Sequence, residues 1–152
     1  MKRFSVLLVF VFSIILGAST AGAEGQAVNT DPFIEVSSSE SITLENGNVL
    51  TSSKRYSRLI NYNPGTWLTK AYSVGISSAD IKQNYIHVQV RTHESSGREI
   101  NSDRSTKYGN TYVEATAKAV TKPTNQYSKT FHEFRRAGIN DTKTYLTNTR
   151  WP

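Results

Sequence analysis

The sequence predicts an all-β protein: a small antiparallel β-sandwich or barrel, preceded by a cleavable signal peptide and a flexible acidic arm. Three observations carry this. Residues 84–94 alternate with a period of two, Ile86, Val88 and Val90 on one face and Tyr85, His87, Gln89, Arg91 and His93 on the other, which is the pattern of a half-buried strand. Ser and Thr supply 35 of the 152 residues and Tyr another 8, and Thr and Tyr fit half-buried pleated surfaces. Turn signals built from Gly, Asn and Pro recur between short segments, as in sequential antiparallel strands.

The N-terminus carries the three parts of a secretory signal. Lys2 and Arg3 are its basic start, Phe4–Leu16 its apolar run, and Ala21-Gly22-Ala23 its small-residue exit, which puts the expected mature start at Glu24. The apolar run falls short of the about 20 residues that a transmembrane helix needs. The sequence contains no cysteine, so disulfides and thiolate metal sites are both excluded. An exported domain of this kind has to hold together by packing and sheet hydrogen bonds.

The elements follow in order. Phe33–Val36 reads as a short strand and Ser37–Ser41 as a flexible break. Ser41–Glu45 and Asn48–Ser52 flank Asn46-Gly47, the favoured type I′ hairpin pair, which sets Leu44 opposite Val49. Asn63-Pro64-Gly65 is a turn, Thr66–Val74 a strand, and Ser77–Asp80 caps a single helical turn. After the alternating strand Asn84–Glu94, Ser95-Ser96-Gly97 turns the chain and Arg98–Arg104 returns beside it. Tyr108-Gly109-Asn110 turns it again into Thr111–Thr121, with Val113, Ala115, Ala117 and Ala119 inward. Lys122–Asn125 is a Pro turn, and Gln126–Arg136 and Lys143–Trp151 are the last strands.

Charge divides the chain into a signal peptide (1–23), an acidic arm with a hairpin (24–53) and a basic antiparallel β domain (54–152). Loss of residues 1–23 removes Lys2 and Arg3 and no acid from the formal charge of +6, leaving +4. Residues 24–53 hold Glu24, Asp31, Glu35, Glu40 and Glu45 and no Lys or Arg, whereas the remainder has a large basic excess. Such asymmetry bears on association rather than on fold.

The chemistry-bearing residues point away from catalysis. His87 and His93 share a face but stand about 20 Å apart along a strand, too far for one metal ion. Neither a Gly-x-Ser-x-Gly elbow nor a His-Glu-x-x-His motif occurs, and Gly75-Ile76-Ser77 lacks the second glycine. Glu94, Glu99, Asp103 and Glu114 have no spacing that singles them out; an enzyme with a dispersed site stays open. The sequence therefore predicts no catalytic residue, no metal ligand set and no cofactor.

It predicts instead a binding face. Tyr85, His87, Arg91, Tyr112 and Lys118 share the outward side of the main sheet if the strands pair in order, with Arg98 and Arg104 in nearby turns and Arg135 and Arg136 at a strand end. Arg and Lys meet phosphate or carboxylate, and rings stack on flat apolar faces. With the export signal, this implies a secreted non-enzymatic binding protein, extracellular or wall-associated. Its partners would be anionic wall polymer, anionic lipid (by peripheral membrane contact) or acidic polysaccharide, with no nucleic acid. A membrane-inserting barrel would need apolar lipid-facing positions on several strands, and the apolar residues suffice for one core only.

Gly65-Thr66-Trp67, Ser77-Ser78-Ala79, then Asn84-Tyr85 and His87 occur in an order that resembles the core of the lactococcin-type β-sandwich bacteriocins. Gly97-Arg98 and Ala115-Thr116 fall in similar order. The resemblance covers roughly residues 65–120, and the chain departs from the pattern in its acidic arm, its gaps and its Arg150-Trp151-Pro152 ending. It implies a secreted antibacterial or toxin-like protein acting on a target cell envelope, and it assigns no individual residue.

Overall fold

The computed structural model describes residues 24–29, 33–65, 70–120 and 123–152. The export segment and the first half of the strand expected at Thr66–Val74 lie outside the described residues. Among the described residues the chain is all-β: β1 (Glu24–Asn29), β2 (Phe33–Thr43), β3 (Val49–Tyr62), β4 (Tyr72–Glu94), β5 (Glu99–Lys118), β6 (Gln126–Arg136) and β7 (Ile139–Asn148). The sheet order is β1-β7-β6-β4-β3-β2, with β5 on the other side of β4. Every pairing is antiparallel except that of β1 with β7.

The long β4–β5 ribbon organises the molecule. Tyr72–Ser78 of β4 pairs with β3 on one side and with Tyr112–Lys118 of β5 on the other. Tyr85–His93 pairs instead with β6 and with the first half of β5. Between these halves the register slips: Ser78 lies opposite Tyr112, and Gln83 opposite Asn110, so Ala79–Lys82 stand against Thr111 alone. Extra residues in one strand bend it sharply. Gly109, with φ +60, lies on β5 at the same corner. The ribbon folds over there and gives two layers. The first layer holds β2, β3 and the adjoining halves of β4 and β5, and the second holds the other halves with β6, β7 and β1.

The sheet is thus nearly closed into a barrel. A Cβ on Gly75 of the first layer would lie 2.8 Å from Val88 Cγ2 and Thr130 Cγ2 of the second, closer than any side chain tolerates. Side chains complete the closure where backbone pairing stops. Asp103 Oδ2 accepts the Thr116 N–H at 2.9 Å and Asn101 Oδ1 accepts the Lys118 N–H at 3.0 Å. Thr92 Oγ1 donates to the Lys118 carbonyl at 2.7 Å. These bonds satisfy backbone groups on what would otherwise be an open strand edge.

Burial alternates along β2, β4, β6, β7, most of β3 and the second half of β5, and defines one interior. Its apolar part is Ile34, Leu59, Ile86, Val88, Val90, Val113, Ala115, Ala117, Phe134 and Leu146. The rest is polar and largely bonded internally, with Arg55 Nη2, Gln126 Oε1 and Asn148 Nδ2 left without a partner among the described residues. Asn61 Oδ1 accepts the Ser73 and Ser128 hydroxyls at 2.7 and 2.5 Å near one end. Toward the other, buried Arg55 donates through Nε to Gln83 Oε1 at 3.1 Å and through Nη1 to Thr142 Oγ1 at 2.5 Å. Burial lowers the Arg55 pKa, which Glu40 and Asp141 partly offset.

Four local expectations change. Ser37–Ser41 is not a break: it continues β2, paired residue by residue with Ser52–Tyr56 of β3. Strand pairing overrides the weak propensity of serine here. Ser77–Asp80 forms no helical turn, and Tyr108-Gly109-Asn110 ends no strand; both signals mark the corner of the ribbon. At Asn46-Gly47 the hairpin is where the sequence places it, but Gly47 alone has positive φ, and the Gly47 N–H bonds to the Leu44 carbonyl at 2.8 Å. That is a type I turn followed by a glycine bulge, and it shifts the register so that Thr43, not Leu44, faces Val49.

Candidate functional site

The site is built by the outward side chains of the second layer. In β4 the residues inward of the bend are even-numbered, so Tyr85, His87, Gln89 and Arg91 point out. In β6 the same alternation turns Tyr127, Lys129, Phe131, Glu133 and Arg135 outward. The register aligns them in rows across the sheet. Tyr108, Tyr85 and Arg135 form one row; Thr106, His87, Glu133 and Lys143 the next; Arg104, Gln89, Phe131 and Tyr145 the third; and Ser102, Arg91, Lys129 and Thr147 the fourth. Directly opposed residues share a face and touch.

Rings run diagonally through these rows. Tyr108 meets Tyr85 edge-on at 5.7 Å, Tyr85 lies 6.0 Å from His87, His87 is 5.9 Å from Phe131, and Phe131 is 5.0 Å from Tyr145. The track crosses β5, β4, β6 and β7. A second pair, His93 stacked on Tyr127 at 4.9 Å, sits at the end of the face, with Lys129 Nζ 5.3 Å above the Tyr127 ring. Cations border the track on both sides: Arg104, Arg91 and Lys129 along one, Arg135 and Lys143 along the other.

Arg135 is committed within the face. It lies 4.8 Å over the Tyr85 ring and donates through Nε and Nη2 to Glu133 Oε1 at 2.9 and 2.6 Å. Glu133 is buried beneath these neighbours despite its outward direction. Arg91 donates through Nη2 to Gln89 Oε1 at 3.0 Å and stands 3.7 Å from Glu99. Between these groups lies an open groove of about 360 Å³, lined by Gln89, Arg91, His93, Lys129, Phe131 and Tyr145 together with the edge of Thr130.

Burial shifts both histidines of this face toward their neutral form. Burial lowers the His87 pKa below the usual histidine range, with Glu133 opposing and Arg104 reinforcing. Burial likewise lowers that of His93, with Lys129 and Arg91 reinforcing and Glu99 opposing. His93 is buried and its Nδ1 has no hydrogen-bond partner among the described residues.

Of the residues singled out in the sequence, Tyr85, His87, Arg91, Arg104 and Arg135 meet on this face. Tyr112 and Lys118 do not: they lie on the half of β5 that belongs to the first layer, opposite Ser78 and Tyr72, and face outward on the other side of the molecule. Arg98 sits at the β4–β5 turn, bound to Glu94. Arg136 donates to the Lys82 carbonyl at the ribbon corner. The sequence reading missed Tyr108, Lys129, Phe131, Lys143 and Tyr145. The alternation of Gln126–Arg136 carried the signal for Lys129 and Phe131; their alignment with β4 is a matter of pairing that no local pattern reveals.

One constellation resembles catalytic machinery. Ser77 Oγ is 2.8 Å from His132 Nδ1. Both residues are fully buried, the Ser77 hydroxyl donates to the His87 carbonyl at 2.9 Å, and His132 Nε2 is held by Thr130 Oγ1 at 2.8 Å where a triad would have a carboxylate. The pair ties the two layers together and cannot reach a substrate. Among the described residues no group of three or more His, Cys, Asp or Glu side chains is placed to hold a metal ion.

The chain matches no protein-family model, no curated protein and no solved structure. Fold and face together define a cysteine-free all-β domain that carries a track of rings bordered by cations.

Proposed function

We propose that this is an exported, non-enzymatic binding protein that docks onto an acidic extracellular polymer or surface through the outer face of its second layer. The observation that carries the reading is the ring track from Tyr108 to Tyr145, crossing four strands with Arg104, Arg91 and Lys129 beside it. Antiparallel sheets commonly keep one wet polar face, but a solvated face has no use for rings placed end to end. Rings give flat contact area at low entropic cost, and the cations steer and hold an anion. The N-terminal export pattern of residues 1–23 supports an extracellular setting.

The test is retention of the purified protein on immobilised acidic polysaccharide, anionic wall polymer and anionic vesicles across a salt gradient. Exposed charge contacts are screened within about 10 Å at 0.1 M salt, so retention should fall steeply toward half-molar salt. The triple variant R91Q/R104Q/K129Q should elute earlier. Retention that ignores both salt and the triple variant would sink the proposal.

A further inference from the structure

The groove at the end of the ring track narrows the partner. Resting on the binding role proposed above, we infer that it is a subsite for an anionic pyranose, a sugar ring bearing a carboxylate or a sulfate ester, within an acidic polysaccharide chain. Its volume of about 360 Å³ lies near the lower end of the range of roughly 300–1,000 Å³ for small-molecule sites. That suits a short stretch of a polymer rather than a large ligand.

Each wall supplies a different part of such a ligand's chemistry. Phe131 and Tyr145, 5.0 Å apart and tilted by 34°, form an apolar platform for the C–H face of a sugar ring. Arg91 and Lys129 stand directly opposite each other on β4 and β6, which puts two cations side by side at one end of that platform. A carboxylate or sulfate there gains charge-assisted hydrogen bonds. Gln89 already takes the Arg91 guanidinium on its amide oxygen, so its NH₂ group is what remains for a sugar hydroxyl.

His93 is the independent observation. It lines the groove, is only 8% exposed, and its Nδ1 lacks a partner. A buried polar atom left unmade costs about 1–3 kcal/mol. Nδ1 accepts a hydrogen bond from a hydroxyl in one neutral tautomer and donates one to it in the other, and a sugar ring on the platform brings hydroxyls to the wall of the groove.

This combination discriminates among polyanions. A polyphosphate chain or a phospholipid headgroup uses the cations but has no ring to lay on Phe131 and Tyr145. Neutral sugars use the rings and leave Lys129 unanswered and Arg91 facing only Glu99 at 3.7 Å.

Isothermal titration of the purified protein with five probes tests the inference: an oligouronate, its carboxyl-reduced neutral counterpart, a sulfated oligosaccharide, inorganic polyphosphate and anionic phospholipid vesicles. The oligouronate or the sulfated sugar should bind at least tenfold more tightly than polyphosphate, vesicles or the neutral oligomer. Tyr145→Ala and, separately, H93F should collapse that preference to within about twofold, with melting temperatures tracked to confirm folding. Tyr145 is 41% exposed, so its truncation tests the platform without opening the core. Equal binding of polyphosphate or vesicles, insensitive to Y145A, would overturn the sugar assignment and leave the polyanion reading standing. Equal binding of the neutral oligomer would overturn the requirement for an anion. No binding of any acidic probe would overturn both readings.

Discussion

The two outer faces of this molecule are made from the same residue types and come out differently. On the first layer, Arg58 is paired with Glu35 and the Tyr112 hydroxyl is tied to Glu114, which pushes the Tyr112 pKa up to about 12. Among the described residues its rings make one stacked pair, Tyr62 on Tyr72 at 4.9 Å, while Tyr56 and Tyr112 stand apart from it beneath Arg58 and Lys107. On the second layer the rings are chained across four strands, and the main acid, Glu133, is buried and neutralised by Arg135. Composition is therefore a poor guide to what a face presents. What separates the two is which residues the register sets side by side, because acids answer cations on both faces: Glu35 meets Arg58 on the first, and Glu99 and Glu133 meet Arg91 and Arg135 on the second.

The contrast can be broken at several points. The largest effect is expected at the seam between the layers, through acid. His132 has its pKa pushed down to about 3 by complete burial, aided by the nearby His87. An unfolded histidine titrates near 6.5, so below that pH unfolding takes up a proton that the native state refuses. The contribution is intact above about 6.5 and erodes as pH falls toward 3, by roughly a kcal/mol or a little more per pH unit. Urea titrations from pH 7.5 to 4 measure this slope, and both faces should be lost together.

Next in size is Gly75→Ala, whose new methyl would press on Val88 and Thr130. Overpacking of this kind costs about 1–3 kcal/mol, measurable by chemical denaturation, and should lower affinity only through the folded fraction. Smaller again is the direct comparison of faces. R91Q/R104Q/K129Q on the second layer should weaken polyanion binding about tenfold, roughly 1.4 kcal/mol, while K54Q/R58Q/K118Q on the first should change it less than twofold. Equal losses would mean that net charge, not the ring track, governs binding. The smallest effect is expected from Asp103→Ala, which removes one side-chain acceptor from the strand edge and should cost about 0.5–1.5 kcal/mol in thermal or urea unfolding.

Much of the fold was legible because alternation is written locally. Residues 84–94 announce both their strand and its two faces, and Tyr85, His87 and Arg91 emerge where that alternation puts them. Tyr112 and Lys118 went astray for a physical reason. Alternation gives the side of a strand on which a residue lies, but β5 passes from one layer to the other at Gly109, so the same side means two different surfaces. Phe131 and Tyr145 were invisible as partners because cross-strand neighbours depend on register. The Ser37–Ser41 segment misled because its strand is imposed by β3 rather than by its own residues.

The β4–β5 ribbon has a consequence for how the chain comes to be folded. Its two strands are joined by the tight turn at Ser95–Gly97, so they can zip together from contacts that are near in sequence, which is the inexpensive way to begin. Both layers join through that ribbon: β3 pairs its first half and β6 its second. The two halves of the protein are therefore not separate folding units that later dock. A cut at the ribbon's corner would break the strand pair that they share.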